Sequence, residues 1–176
     1  MDSERATQRG AVAGVHVGVR CLLPIWLIDD KGMALASYDF SPIGRVHSRL
    51  IQRSGAPRQP WEGAPEATLE IYPELVEGLD GIQAGQNIWV LTWLHESRRS
   101  TLKVYPRGDT RLTGVFATRS PDRPNPIGLH RTKVLGVDGG RFIQVEGIEA
   151  IDGTPVIDIK PVLYEVQEAG PRDSRG

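Results

Sequence analysis

The chain has 176 residues, 39% hydrophobic and 24% charged, with a formal net charge of −1, which suits one globular domain with a real core and excludes a global charge drive toward nucleic acid. Contact with an anionic polymer would need a local basic patch or a second subunit. A single cysteine, Cys21, excludes an internal disulfide and any cysteine-clustered zinc or iron–sulfur site, and is compatible with a reducing cytosol.

The first residues differ from the rest. Residues 1–10 are polar and charged, and the apolar run AVAGVHVGVRCLLPIWLI that follows is interrupted by His16, Arg20 and Pro24 before Asp29 and Asp30. The run is too broken for a membrane span, which needs about twenty apolar residues. Arg20 inside the run and the acidic pair behind it also argue against a signal peptide. Residues 1–38 are therefore expected to lie outside the domain. They read as a disordered extension, an arm that docks on the domain, or upstream sequence translated from a wrongly chosen start, since Met33 opens a segment that makes a sensible N-terminus. The domain is expected over residues 39–166, with a polar tail at 167–176.

Twenty glycines and thirteen prolines favour short strands and turns over long helices, so the expected domain is mostly β. Residues 42–48 read as a first strand, followed by a proline-bracketed turn that carries Arg58. Residues 67–72 alternate apolar and polar as a half-buried strand should. Pro73 starts a short helix through Leu79, with Glu74 and Glu77 near its positive end. Residues 87–94, NIWVLTWL, form the strongest strand, apolar on both faces and hence expected to be central. It ends at His95 and Glu96, a polar pair that is either a boundary marker or part of a site.

Residues 101–104 read as a further strand, and a turn over 106–111 leads to the stretch around which the chain is organised, residues 113–130, TGVFATRSPDRPNPIGLH. Its apolar, β-branched opening, residues 114–118, reads as a strand. Behind it Arg119, Asp122, Arg123 and Asn125 stand among Pro121, Pro124 and Pro126, each of which fixes φ and biases its predecessor toward extended backbone. Such a loop is either a solvated surface turn or a rigid binding loop, and its planar, permanently charged guanidinium groups suit carboxylate or phosphate. Residues 131–137 continue as a strand, the Asp138-Gly139-Gly140 turn signals a hairpin, and residues 141–145 return. An acidic turn over 149–155 precedes the strand 156–161. There Asp158, flanked by apolar residues, is expected to be partly desolvated and to share a face with Lys160.

No glycine-rich dinucleotide fingerprint, Walker loop, nucleophile elbow or HExxH helix occurs. His16, His47, His95 and His130 are scattered, so no metal is expected.

TGVFATRSPDRPNPIGLH, with APRQ upstream and WLHE and IDGTPVIDIKP on either side of it, resembles the TrmO or TsaA-like family. These are S-adenosylmethionine-dependent methyltransferases that act on threonylcarbamoyl-adenosine beside the tRNA anticodon. The resemblance covers about Ser41 to Tyr164, in the family's order. It implies a single compact β-barrel-like domain with short helices rather than a Rossmann sheet, and a cytoplasmic homodimer holding S-adenosylmethionine near the subunit interface. Family cofactor contacts would fall on Pro57, Arg58 and Gln59, on His95 and Glu96, on Arg119 and Leu129, and on Glu149, Ala150, Ile151 and Asp152. Arg58 or Arg119 suits the cofactor carboxylate, Glu149 or Asp152 its hydroxyl and amino groups, and residues 127–129 the adenine. The proton released on methylation would go to Asp158, His95 or Glu96. The tRNA backbone would meet Arg98, Arg99, Lys103, Arg107 and Arg123. A non-catalytic binder or sensor of S-adenosylmethionine, or a methyltransferase of another small acceptor, is the alternative. The chain departs from the family pattern at His130, where a small hydroxyl residue is common, at Glu96, where glutamine is frequent, and at Val162, where an aromatic is usual.

Overall fold

Strict period-two alternation makes a strand with one wet face and one dry face, and a set of such strands buries its dry faces by closing on itself. The structure, a computed structural model, describes residues 39–57, 59–106 and 108–163. Its strands are β1 (Gly44–His47), β2 (Ala67–Ile71), β3 (Asn87–Trp93), β4 (Lys103–Val104), β5 (Thr113–Gly114), β6 (Ile127–Asp138), β7 (Phe142–Val145) and β8 (Pro155–Pro161). Six form a closed antiparallel barrel in the order β1-β2-β7-β6-β3-β8, sealed by β1 against β8, while β4 and β5 make a separate two-stranded ribbon. The expected barrel is present, and the helices among the described residues are short 3-10 turns.

The long strand β6 is shared between two neighbours. Its first half pairs with β3, Ile127 opposite Trp93 through Lys133 opposite Asn87, and its second half pairs with β7 across a register shift after Val134. Gly128, His130, Thr132 and Val134 face inward, and Ile127, Leu129, Arg131, Lys133 and Leu135 face out. Val46, Leu69, Ile88, Val90, Val134, Ile143, Val145 and Val156 fill the interior, fully buried. Toward the end where β3 finishes and β6 starts, the inward residues become polar: Thr92, His130 and Thr154 are buried there. That polar end carries the site.

Strand closure leaves little room at one corner. A Cβ on Gly44 would lie 2.1 Å from the Glu70 carbonyl oxygen, so only glycine lets β1 cross from β2 to β8. Beside it Glu70, on the outward phase of β2 yet buried, accepts from Arg45 Nε and His47 Nε2 at 2.7 Å each, and from Arg141 Nη2 at 2.7 Å. The His47 ring first, and Arg45 second, hold its carboxyl below the ordinary 4.5.

Three expectations are corrected. β3 is not apolar-buried on both faces: Ile88, Val90 and Thr92 are buried while Trp89, Leu91 and Trp93 are half-exposed, because a barrel has one inside and no helical layer among the described residues covers this outer face. Residues 101–104 contribute only the two-residue β4. The strand expected over 114–118 stops at Gly114, and Val115–Ala117 turn as a 3-10 helix. Here the Val115 carbonyl takes the Thr118 backbone and hydroxyl donors and the Arg123 guanidinium, and is therefore unavailable to a neighbouring strand. The helix expected from Pro73 to Leu79 has those bounds, as a 3-10 helix. Residues 1–38 and 164–176 lie outside the described residues, so the expectations for both termini do as well. Among the described residues no helix is long and apolar enough to cross a membrane.

Candidate functional site

At the polar end of the barrel a cleft of about 800 Å³ opens between segments far apart in sequence. One wall is the loop after β1, with Arg53, Pro57 and Gln59; a second is the end of β3, residues 94–97; a third is the proline loop, residues 118–123. The floor is the start of β6, residues 127–130, together with Glu149, Ala150, Ile151 and Thr154, and Tyr105 stands beyond β4 at the rim. The pairing of β3 with β6 explains the meeting of two walls. The Leu94 amide donates to the Pro126 carbonyl at 2.8 Å, so the chain leaving β3 and the proline loop entering β6 lie side by side.

Asp122 ties these walls together. Its Oδ1 accepts from Arg53 Nη2 at 2.7 Å and from the Arg98 amide at 2.9 Å, and Arg53 Nη1 donates to the Glu96 carbonyl at 3.0 Å. The proline loop is braced from within by Arg123, whose Nη2 donates to the carbonyls of Val115 and, at 2.7 Å, of Thr118. A loop with three prolines and an internal guanidinium strut has little freedom left to lose on binding.

Of the residues singled out from sequence, the structure brings Pro57, Gln59, His95, Glu96, Arg119, Leu129, Glu149, Ala150 and Ile151 to this one cleft. The side chains of Arg119, His95 and Glu96 have no hydrogen bond or ion pair among the described residues, and all three are exposed at its edge. Arg58 and Arg107 lie outside the described residues. Asp152 is not a lining residue: its Oδ1 accepts the Ser48 amide at 3.0 Å and its amide donates to Leu50 at 2.7 Å, which anchors the loop after β1. Asp158 does share its face with Lys160, in a 2.7 Å ion pair, but that face is the outside of the barrel, opposite Leu91 and away from the cleft. A register shift between Leu91 and Thr92 sets this phase, and the apolar neighbours that suggested desolvation do not reveal it.

The basic residues divide. Arg98 and Lys103 are exposed with no side-chain partner among the described residues. Arg99 lies over the Trp93 ring, 5.1 Å from its centroid, and donates to the Pro124 carbonyl at 3.3 Å. Arg123, expected on the nucleic-acid face, is instead the half-buried strut of the proline loop, since two carbonyl oxygens already hold its guanidinium.

Sequence reasoning missed Arg53, Thr92 and His130 as parts of this site. For Arg53 no local signal exists, because its partner Asp122 is 69 residues away. For His130 a signal was present: it falls on the same inward phase of β6 as Val134, which places it inside the barrel. Its Nε2 lies 2.9 Å from Thr92 Oγ1, and its Nδ1 lies 3.1 Å from Glu149 Oε1, in a contact too bent for a hydrogen bond.

Four buried side-chain atoms lack a hydrogen-bond partner among the described residues: Ser97 Oγ, Arg123 Nε, His130 Nδ1 and Glu149 Oε2. All four residues line the cleft. A buried polar group left unpaired costs about 1–3 kcal/mol, so such atoms gathered at one place mark where a polar ligand belongs. The side chains on offer are a free guanidinium for an anionic group, carboxylates for hydroxyl or amino donors, and the Ile127 and Leu129 surface for a flat apolar group. No group of three or more potential metal ligands exists among the described residues.

Comparison with known proteins places this geometry. Residues 45–168 match the family model described as the tRNA-methyltransferase O N-terminal domain. A protein of Methanothermobacter thermautotrophicus, named "Probable S-adenosyl-L-methionine-binding protein", is 42% identical over 129 residues, which are 73% of this chain and 93% of that one. An S-adenosyl-L-methionine-binding protein of Archaeoglobus fulgidus is 42% identical over 125 residues, 71% of this chain and 89% of that one. The crystal structure of TrmO from Pseudomonas aeruginosa superposes with a TM-score of 0.60 at 34% identity, over 80% of this chain and 61% of that one. The chain thus spans about three fifths of the solved structure's length.

Proposed function

The chain belongs to the tRNA-methyltransferase O N-terminal domain family, and we propose that it binds S-adenosylmethionine in the barrel-end cleft and methylates N6 of threonylcarbamoyl-adenosine next to the tRNA anticodon. The observation that carries this reading is the gathering of unpartnered buried polar atoms in one cleft, together with nine of the residues that the family resemblance marks. Arg119 takes the cofactor carboxylate, Glu149 takes hydroxyl or amino donors, and the Gly128 backbone with Ile127 and Leu129 packs the adenine. When bound, S-adenosylmethionine supplies an electrophilic methyl group on a sulfonium sulfur.

The chain's own contribution is alignment. The proline loop, braced by Arg123 and locked to the other walls by Asp122, holds Arg119 in place, and a fixed geometry is the main demand of an in-line transfer. The exocyclic nitrogen must also lose a proton. His95 and Glu96, exposed at the cleft edge and unpaired among the described residues, are the acceptors we assign, and Asp158 on the outer wall is not.

The proposal extends to partners. Arg98 and Lys103, free among the described residues, meet the tRNA backbone in the cytosol. A second copy of the chain covers the outer apolar face of β3, where Trp89 and Leu91 stand half-exposed.

The test is incubation with methyl-labelled S-adenosylmethionine and tRNA bearing threonylcarbamoyl-adenosine, followed by digestion of the RNA. Label in that nucleoside and none in unmodified tRNA is the expected result. The names of the relatives favour a second reading, a binding protein without turnover. Cofactor binding by calorimetry with no label in any tRNA would select it.

A further inference from the structure

Within the cleft the buried contact between β3 and β6 is built around a histidine that the reading above leaves without a task. His130 is 4% exposed, with Nε2 at 2.9 Å from Thr92 Oγ1 and Nδ1 at 3.1 Å from Glu149 Oε1. The neighbouring position is shaped to this contact: a Cβ on Gly128 would fall 2.3 Å from Thr92 Oγ1 and 2.6 Å from His130 Nε2. An ionised carboxylate only accepts hydrogen bonds, so the nitrogen facing Glu149 carries the proton. Nε2 is then an acceptor and takes the Thr92 hydroxyl hydrogen. The Thr92 Oγ1–Nε2 hydrogen bond and the Nδ1–Glu149 Oε1 contact, bent as it stands, favour this tautomer and occupy one side of the carboxylate. The other oxygen, Oε2, is buried, unpartnered and part of the cleft lining.

We propose that His130 is a positioning residue: through Nδ1–H it holds the Glu149 carboxylate oriented, so that Oε2 receives a hydroxyl or amino donor of the bound ligand. This rests on the cleft being the S-adenosylmethionine site, whose ligand offers such donors. A donor on Oε2 draws the carboxylate into line with the imidazole and straightens the bent contact. Ligand binding and the His130–Glu149 hydrogen bond therefore reinforce each other. Histidine placed there only to fill space would show no such coupling.

The experiment uses the full chain with ¹⁵N-histidine, its His130 resonances assigned by their loss in His130→Gln. The expected spectrum has Nδ1 protonated and Nε2 bare, and Glu149→Gln and Thr92→Val each shift the His130 nitrogens while the fold is retained. Calorimetry with S-adenosylmethionine then completes a double-mutant cycle. His130→Ala and Glu149→Gln each weaken binding about tenfold, and the double variant loses no more than either alone. A proton on Nε2, or a His130 spectrum unmoved by Glu149→Gln and Thr92→Val, overturns the proposal, as do losses that multiply to about a hundredfold. If the spectra are as expected and the wild-type chain binds no S-adenosylmethionine, the His130–Glu149 arrangement stands and the cofactor reading fails.

Discussion

Asp122 Oδ1 lies 2.7 Å from Arg53 Nη2 and joins the proline loop to the loop after β1 across 69 residues of sequence. The same guanidinium reaches the Glu96 carbonyl at 3.0 Å, so one side chain sets the spacing of three cleft walls. The pair is partly exposed, and such a pair contributes at most about 1 kcal/mol to stability. Arg53→Met is therefore expected to leave the melting temperature within a few degrees of wild type. It should nevertheless weaken S-adenosylmethionine binding by about tenfold, because misplacing a wall costs far more in binding than in folding. Paired thermal melts and calorimetry decide this. A large stability loss with unchanged affinity would contradict it.

Arg123 is the opposite case. Its guanidinium serves the Val115 and Thr118 carbonyls; without it the Val115 oxygen keeps its Thr118 donors, whereas the part-buried Thr118 oxygen loses this donor and the proline loop its strut. Arg123→Ala should destabilise the fold by about 2 kcal/mol in urea denaturation.

The salt dependence of tRNA binding separates that strut from the proposed phosphate contacts. Arg98→Ala and Lys103→Ala should each reduce the slope of log affinity against log salt by about one unit. Arg123→Gln, which removes a charge held by the Val115 and Thr118 carbonyls rather than by phosphate, should leave the slope unaltered. Filter-binding titrations across salt concentrations read all three.

Acid stability follows from Glu70. His47 and Arg45 hold its carboxyl below the ordinary 4.5, so between the folded and unfolded values the unfolded chain binds the extra proton. The stabilisation is therefore complete above about 4.5 and is lost as the pH falls through the lower, folded value. Glu70→Gln should lower stability at neutral pH and flatten the acid limb of the stability curve. A wild-type acid limb retained in full in Glu70→Gln would show that other carboxyls carry it.

Gly128 tests the packing of the polar barrel end. Gly128→Ala places a methyl 2.3 Å from Thr92 Oγ1 and 2.6 Å from His130 Nε2, side chains that are themselves hydrogen-bonded to each other and buried. The expected cost is about 1–3 kcal/mol in denaturant unfolding.

Much of the barrel is legible in the chain. Alternation in residues 67–72 and 141–145, the strand run 131–137, the Asp138-Gly139-Gly140 turn and the Pro73 helix start each follow from neighbouring residues, and β2, β7, β6 and the 3-10 helix lie there. The short strand at 114–118 failed because its β-branched residues compete with a donor eight positions away, Arg123, which captures the Val115 carbonyl. Asp158 and Lys160 were rightly placed on one face. Which face this is depends on the irregular pairing of β8 with β3.

Composition and period-two patterning thus determined, on their own, a mostly β domain with proline-stiffened loops, and four separated motifs marked the family and most of the cleft residues. Tertiary structure alone decided how those residues serve. Closure of the barrel turns Asp152 toward Ser48, 104 residues away, makes Asp122 the junction of the walls, and places His130 between Thr92 and Glu149. The physical reason is range: a residue's φ, ψ and strand phase are set by its neighbours, whereas its hydrogen-bond partner is whichever group the closed sheet brings within about 3 Å.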